Sequence, residues 1–204
     1  KVTFRDYMDD SYYRLIYTIY SDDFLIVVIG SKADCIKIKS VITQYMQECL
    51  HLEMSQEKTL ITNAQKPAKF LGYEVLVRKT DVTKRNKFNV PVRSFNGTVV
   101  LKVATETVKN RLEHYEAIKY KMENGVQTWF PKLRSKLMKK KIEDIVARYN
   151  SEIRGFYNYY SIANNVSYAA SKFGYIMEYS MYHTIAAKTN SSISKVIDKY
   201  KKGN

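Results

Sequence analysis

The sequence has little that could cross-link it or hold zinc. Only two cysteines occur in 204 residues, Cys35 and Cys49. They fall within one expected helix, which at 1.5 Å per residue sets them roughly 20 Å apart, too far to bridge. The reading is two reduced thiols. The three histidines, His51, His114 and His183, are scattered and show no Cys/His ligand spacing, so a structural zinc site has no support. No run approaches the roughly 18 apolar residues of a membrane span, and the polar start Lys1-Val2-Thr3-Phe4-Arg5-Asp6 carries no signal-peptide pattern. The expected setting is intracellular, bacterial cytoplasm or organelle, with no membrane partner. There is no long-period repeat, low-complexity tract or heptad run, and no initiator Met, which fits a chain cut from something longer.

Acidic residues are also scarce, in one part of the chain. Residues 1–75 hold 9 of the 34 basic and 10 of the 20 acidic side chains, leaving 25 and 10 for residues 76–204. The whole formal charge of +14 therefore belongs to the C-terminal part. That asymmetry points to a polyanionic partner, most often nucleic acid, against the plainer reading of a soluble basic surface. Hydrophobic residues make up 45% of the chain, ample for a globular core.

Two β-rich apolar runs, Leu15–Tyr20 and Phe24–Gly30, flank Ser21-Asp22-Asp23 and read as a hairpin with both strands well buried and the two aspartates at its tip. Ser31 and Asp34 have capping-box spacing, and Cys35, Ile38, Ile42, Tyr45, Met46 and Cys49 recur at helical intervals, predicting a helix from Lys32 to Leu50. Strands are expected at 52–54, 59–62 and 69–77. A charged connector follows, and Asn96-Gly97 between Asn89–Arg93 and Thr98–Val103 is a strong hairpin signal. Beyond it the pattern predicts helices near 105–122, 140–162, 166–188 and 191–201, with breaks at Asn124-Gly125 and Asn164-Asn165. The second helical stretch carries the stripe Ile142, Ile145, Tyr149, Ile153, Phe156 and Tyr160.

Adjacent aspartates at a hairpin tip can bring both carboxylates to one site. Such hard oxygen ligands suit Mg²⁺, which commonly uses one or two protein carboxylates with substrate phosphates and water. An ordinary exposed acidic turn has the same local sequence. The order of further motifs decides between them. Tyr20-Ser21-Asp22-Asp23-Phe24 resembles the Tyr-Ala-Asp-Asp-Phe block of group II intron-encoded reverse transcriptases, the maturases. Gly30-Ser31-Lys32-Ala33-Asp34 resembles the start of their next palm helix. Leu52–Thr59 resembles their Leu-Ser-x-Glu-Lys-Thr segment, Ala68-Lys69-Phe70-Leu71-Gly72-Tyr73-Glu74 their Ala-Arg-Phe-Leu-Gly-Tyr block, and Ile153-Arg154-Gly155-Phe156-Tyr157-Asn158-Tyr159-Tyr160 their thumb, or domain X.

The resemblance implies an α+β chain: a partial polymerase palm over 1–78, made of a β-hairpin, a helix and antiparallel strands. A connector with a β-hairpin over 79–103 and an all-helical thumb over 104–204 would follow. It implies a part of an RNA-directed DNA polymerase that extends a primer on an RNA template and binds intron RNA to assist splicing. The alternative is a non-catalytic RNA-binding maturase or RNA chaperone that keeps the palm as scaffold. The implied cofactor is Mg²⁺, with Mn²⁺ as a substitute, and the implied partners are group II intron RNA, an RNA template with DNA primer, and deoxynucleoside triphosphates. Asp22 and Asp23 would be the metal-binding catalytic carboxylates. Lys58 would donate a proton to pyrophosphate or contact the triphosphate, or is an ordinary exposed lysine. Tyr20 would buttress the turn, and Phe70, Leu71, Gly72 and Tyr73 would grip the primer, with Gly72 permitting close backbone approach. Ser21 stands where the family most often has Ala. The family's third catalytic aspartate lies upstream with the fingers, and Asp6, Asp9 and Asp10 have no matching motif, so the chain alone is expected to be inactive without that N-terminal fingers and palm segment.

In the helical part, Lys139, Lys140 and Lys141 crowd a helix start, where cations oppose the macrodipole unless a phosphate neutralises them. Arg148, Arg154 and Asn158 lie off the apolar stripe, and Tyr157 and Tyr159 could stack on bases or bond phosphates and 2′-hydroxyls, with contact expected from one of the two. Each lysine alone could equally be solvated. Tyr149, Tyr160 and Trp129 are expected to be core residues.

Overall fold

The computed structural model describes residues 14–80, 82–92, 97–123 and 125–200. Asp6, Asp9 and Asp10 lie outside the described residues. The chain divides into two compact units, residues 1–71 with 76–97, and residues 72–75 with 98–204.

In the first unit, β1 (Arg14–Tyr20) pairs antiparallel with β2 (Asp23–Ile29) in a register that sets Tyr20 opposite Asp23 and leaves Ser21-Asp22 as the loop. Helix α1 (Lys32–Cys49) follows, capped as its sequence requires. The Ser31 hydroxyl accepts from the Asp34 N–H at 3.2 Å, and the Asp34 carboxylate accepts from the Ser31 N–H at 2.9 Å, which satisfies two backbone donors reciprocally. The Ser31 hydroxyl also donates to the Asp34 carboxylate at 2.7 Å, and that bond, with the one from the Ser31 N–H, holds the Asp34 carboxyl below its usual range. Two expectations fail here. The hairpin is not well buried: Tyr17, Ile19 and Tyr20 are 65%, 63% and 66% exposed. The physical reason is that a two-stranded ribbon has two faces, and no residue of the described first unit is fully covered. Residues 52–54 and 59–62 form no strands either. They run as irregular chain around a turn at 56–58, tied to α1 where Lys39 Nζ donates to the Thr59 carbonyl at 2.6 Å. The hairpin expected around Asn96-Gly97 rests on residues outside the described ones; upstream of it the chain turns at 86–90. There the Asn86 side chain accepts from the N–H groups of Phe88 and Val90, and Arg85 bridges Pro91. Residues 93–96 are outside the described residues.

A two-residue turn, Leu71-Gly72, joins β3 (Ala68–Phe70) to β4 (Tyr73–Val77), with both residues at positive φ, 50° and 79°. In the second unit the first residues of β4 lie beside β5 (Val99–Val103). The Asn164-Asn165 pair, besides separating two helices, engages β5: the Asn164 and Asn165 side chains accept from the N–H groups of Leu101 and Val103 at 2.9 and 2.8 Å. Helix α2 (Thr105–His114) is shorter than expected. Instead of continuing to 122, the chain turns at Tyr115-Glu116 and forms an antiparallel hairpin of β6 (Ile118–Glu123) and β7 (Val126–Pro131), so the unit is not all-helical. Gly125 lies in the turn between them at φ 77°. The physical reason is the alternation Ile118-Lys119-Tyr120-Lys121-Met122-Glu123, which has period two.

A 3₁₀ turn (Ser135–Leu137) leads to α3 (Ile142–Tyr160), then α4 (Val166–Thr189) and α5 (Ile193–Tyr200). The core sits between α3 and α4. Ile145, Tyr149, Phe156 and Tyr160 of the α3 stripe are buried, with Ile142 and Ile153 half-buried beside them. Phe156 stacks on Phe173 with ring centroids 4.2 Å apart. Helix α4 ends at Asn190, which takes the left-handed conformation and turns the chain toward α5.

Candidate nucleic-acid interface and catalytic tip

At the hairpin tip, Ser21 adopts φ 55°, Asp22 follows in the turn and Asp23 opens β2. Both aspartates are exposed, and among the described residues neither carboxylate has a hydrogen-bond or ion-pair partner. No group of three or more His, Cys, Asp and Glu residues able to hold a metal occurs among the described residues. Two adjacent, unpaired hard-oxygen ligands fit magnesium as a partial donor set, since that ion completes its shell with substrate oxygens and water. Tyr20 is exposed on the strand before the tip, and Lys58 is exposed on the turn at 56–58.

The Gly72 turn has an intramolecular use. A Cβ on Gly72 would lie 2.7 Å from the Tyr160 hydroxyl, and the Gly72 carbonyl accepts from the Thr107 hydroxyl at 3.2 Å. Close approach is therefore made by the protein's own third helix. Tyr73 continues this contact: its ring lies edge-on to Tyr160 at 5.1 Å and stacks with Tyr159 at 6.0 Å, while its hydroxyl donates to the Tyr159 carbonyl. Burial, with Tyr159 and Tyr160 adding to it, raises the Tyr73 hydroxyl pKa. Tyr159 is thus engaged by Tyr73, whereas Tyr157 stands half exposed. Among the described residues Arg154 reaches its own helix alone, Nε donating to the Asn150 carbonyl, and Asn158 is exposed. Trp129 is half-buried against the core, with Lys172 Nζ 3.9 Å from its ring centroid.

Lys139, Lys140 and Lys141 precede the first residue of α3 rather than occupying its first turn, which carries Glu143 and Asp144. The carboxylates complement the helix N-terminus, so the lysines do not oppose it as strongly as their sequence position indicated. Lys140 and Arg148 converge on a cavity of about 300 Å³, lined also by His114, Tyr115, Glu116, Arg134, Lys136 and Leu137.

A buried polar cluster, not foreseen from sequence, supports this cavity. Glu152 is 7% exposed and accepts from Arg134 through both terminal nitrogens at 2.6 and 3.2 Å, and from Arg148 Nε at 2.6 Å. Arg134 also lies over the rings of Tyr115 and Tyr149, at 5.5 and 5.0 Å. Burial works most strongly against its charge, but the bond to Glu152, that carboxylate's charge and Tyr149 together outweigh it and raise its pKa. The Tyr149 hydroxyl meets those of Ser180 and Thr184 at 2.8 and 3.1 Å, Ser180 donates to the Lys132 carbonyl, and Thr184 accepts from the Arg134 N–H at 3.0 Å. The chain from 132 to 134 is thereby fixed to α3 and α4. The signal in the sequence was Glu152 itself, a carboxylate on the stripe between Tyr149 and Phe156, four residues after an arginine.

Comparison with known proteins assigns this arrangement. The sequence model of the type II intron maturase family matches residues 83–203. The chain belongs to that family. It is also 39% identical over 189 residues to the group II intron-encoded protein LtrA of Lactococcus lactis subsp. cremoris, a match covering 93% of this chain and 31% of that protein. A COX1/OXI3 intron 1 protein of Saccharomyces cerevisiae is 33% identical over 201 residues, covering 95% of this chain and 24% of its own length. The maturase chain thus spans less than a third of the length of these curated relatives. No helix among its described residues is long and apolar enough to cross a membrane.

Proposed function

We propose that this maturase chain is part of an RNA-directed DNA polymerase encoded by a group II intron, and that its second unit binds intron RNA to assist splicing. The observation that carries the reading is one chain holding both the family match over 83–203 and, at the tip of β1 and β2, two exposed carboxylates without protein partners among the described residues. The cavity where Lys140 and Arg148 meet supports RNA binding.

Asp22 and Asp23 would hold Mg²⁺, or Mn²⁺ in its place. Bound there, the ion supplies activation of a primer 3′-hydroxyl and charge stabilisation of the leaving pyrophosphate of a deoxynucleoside triphosphate. The chain's own part is to present the two carboxylates on a short turn, with Tyr20 beside them and Lys58 as the cation for the triphosphate. Phe70, Leu71, Gly72 and Tyr73 are proposed to position the primer end of an RNA–DNA duplex. The residues Lys139, Lys140, Lys141, Arg148, Arg154, Tyr157, Asn158 and Tyr159 are proposed to meet RNA. The family match includes none of the tip residues, which favours a second reading, an RNA-binding maturase whose palm is scaffold.

The two readings share intron binding and part at polymerisation. The test measures affinity of the full-length protein for a group II intron transcript against KCl concentration, and primer extension on an RNA template. The proposal expects affinity that falls with salt and extension that needs Asp22 and Asp23. Extension unchanged by their replacement leaves only the scaffold reading, and affinity independent of salt removes both.

A further inference from the structure

The cavity between the end of α2, the 3₁₀ turn and α3 is more specific than a basic surface. Four cationic side chains line it, Arg134, Lys136, Lys140 and Arg148, against one lining carboxylate, Glu116. Their roles differ. Arg134 is spent internally, its two terminal nitrogens on Glu152 and its guanidinium between two tyrosine rings. Arg148 gives Glu152 only Nε, so its terminal nitrogens are not consumed by that bond, and its side chain is 59% exposed. Glu152 therefore acts as a buried strut that fixes both guanidinium groups while neutralising one. Lys140 has no carboxylate partner among the described residues and follows the turn by its N–H bond to the Leu137 carbonyl.

Glu116 is the unusual residue. It occupies the C′ position of α2, donating its N–H to the Glu113 carbonyl at 2.8 Å while the Ala117 N–H donates to the Leu112 carbonyl at 3.0 Å. This position favours glycine, and Glu116 sits there at φ 55°. Its carboxylate reaches across to Lys136. The bond from Lys136 and that lysine's charge, with Lys132 and Arg134 adding to them, hold the Glu116 carboxyl below its usual range. A carboxylate has been placed, at a backbone conformation poorly suited to it, where the surrounding charge calls for an anion.

We propose that this cavity is a phosphate-binding site that takes one backbone phosphodiester of RNA, with Lys140 and Arg148 as its contacts and Glu116 as an internal carboxylate that occupies Lys136 until RNA displaces it. The proposal rests on the reading that the second unit binds RNA, and adds a defined subsite to it. A planar guanidinium and an ammonium lining one cavity suit the oxygens of one phosphate. With Glu116 in place the site discriminates against weak anions, because an incoming phosphate must outcompete a tethered carboxylate.

The test uses the 204-residue chain and a fluorescently labelled RNA hairpin, with affinity read by anisotropy from 50 to 300 mM KCl. Lys140→Ala, alone and with Arg148→Ala, is expected to weaken binding about tenfold and to reduce the slope of log affinity against log salt by about 1. Glu116→Gly, which suits the left-handed position and frees Lys136, is expected to tighten binding several-fold. Binding unchanged by Lys140→Ala overturns the proposal, as does an equal loss from Lys102→Ala, which lies on β5 outside the cavity, or weaker binding by Glu116→Gly. A free nucleotide is the other source of such a phosphate: dATP at matched ionic strength is expected not to displace the hairpin, and displacement abolished by Lys140→Ala would overturn the assignment to RNA. Wild-type chain that fails to bind the hairpin refutes RNA binding by the second unit as a whole, whereas binding with unaffected variants refutes the subsite alone.

Discussion

Replacing Glu152 by Gln puts the central strut of the second unit to a quantitative test. The substitution keeps the shape and one acceptor but removes the charge facing two guanidinium groups. Arg134 has a side chain only 11% exposed, so its charge would be left buried without a counter-ion. Breaking a buried pair from one side costs about 3–5 kcal/mol. The rings of Tyr115 and Tyr149 already lie over Arg134 and return about 1 kcal/mol of that. Arg148 is mostly exposed, and losing its bond adds at most about 1 kcal/mol. The expected loss is thus about 2–5 kcal/mol, a shift of the urea midpoint on the order of 1–2.5 M at the slopes usual for small domains. Trp129 is the sole tryptophan and belongs to this unit, so its fluorescence follows the transition without contribution from the other. The double replacement Arg134→Met with Glu152→Met removes both charges and should recover most of the loss. A Glu152→Gln variant within about 0.5 kcal/mol of wild type, or a double variant no better than the single one, refutes the strut.

Gly72→Ala should destabilise the second unit, since the left-handed backbone costs about 1–2 kcal/mol and the new methyl would displace the Tyr160 hydroxyl as well; the same urea titration measures it, and a neutral result contradicts the packing described. Ser31→Ala should cost about 1 kcal/mol by removing the cap of α1, seen as earlier loss of helical circular dichroism on heating. Stability should also fall at high pH. Burial and the bond to Glu178 push the Tyr182 hydroxyl up to about 12, and burial raises Tyr73, Tyr149 and Tyr160 too. The unfolded chain ionises these tyrosines near pH 10 while the folded one still holds the protons, so their stabilisation is complete below pH 10 and is lost as pH rises toward 12. Urea midpoints at pH 9 and 11, with tyrosinate absorbance, check this, and equal midpoints count against it.

What the sequence made legible follows from how local the determinant was. The α1 helix carries its cap and its period within one segment, and the structure keeps both. The α3 stripe was readable for the same reason, as was the tip of β1 and β2 between two apolar runs. The β6–β7 hairpin was missed although its signals were present: strict alternation around Asn124-Gly125. Its lysines and glutamate resemble an exposed helix face, but ammonium groups lie over its aromatic rings, Lys109 of α2 over Tyr120 and Lys121 over Phe130. The turn at 86–90 was not legible, because the Asn86 side chain rather than an Asn-Gly pair closes it, accepting from the N–H groups of Phe88 and Val90. At the interface, Lys140 and Arg148 could be picked out by charge, whereas Arg134, Lys136 and His114 join them only through tertiary packing of α2 and the 3₁₀ turn against α3. Likewise Gly72 was legible as a close-approach residue, but its neighbour, the Tyr160 hydroxyl 88 residues on, was not.

Primer extension by the full-length protein on an RNA template, with wild type compared against Asp22→Ala and Asp23→Ala, reaches the central claim most directly. If the tip of β1 and β2 holds the catalytic metal, each variant loses at least about two orders of magnitude in extension rate, the several kcal/mol that metal-ion catalysis supplies. Each should still bind intron RNA with wild-type affinity and salt dependence. Variants that extend the primer at the wild-type rate would contradict the polymerase assignment and leave the chain as an RNA-binding maturase.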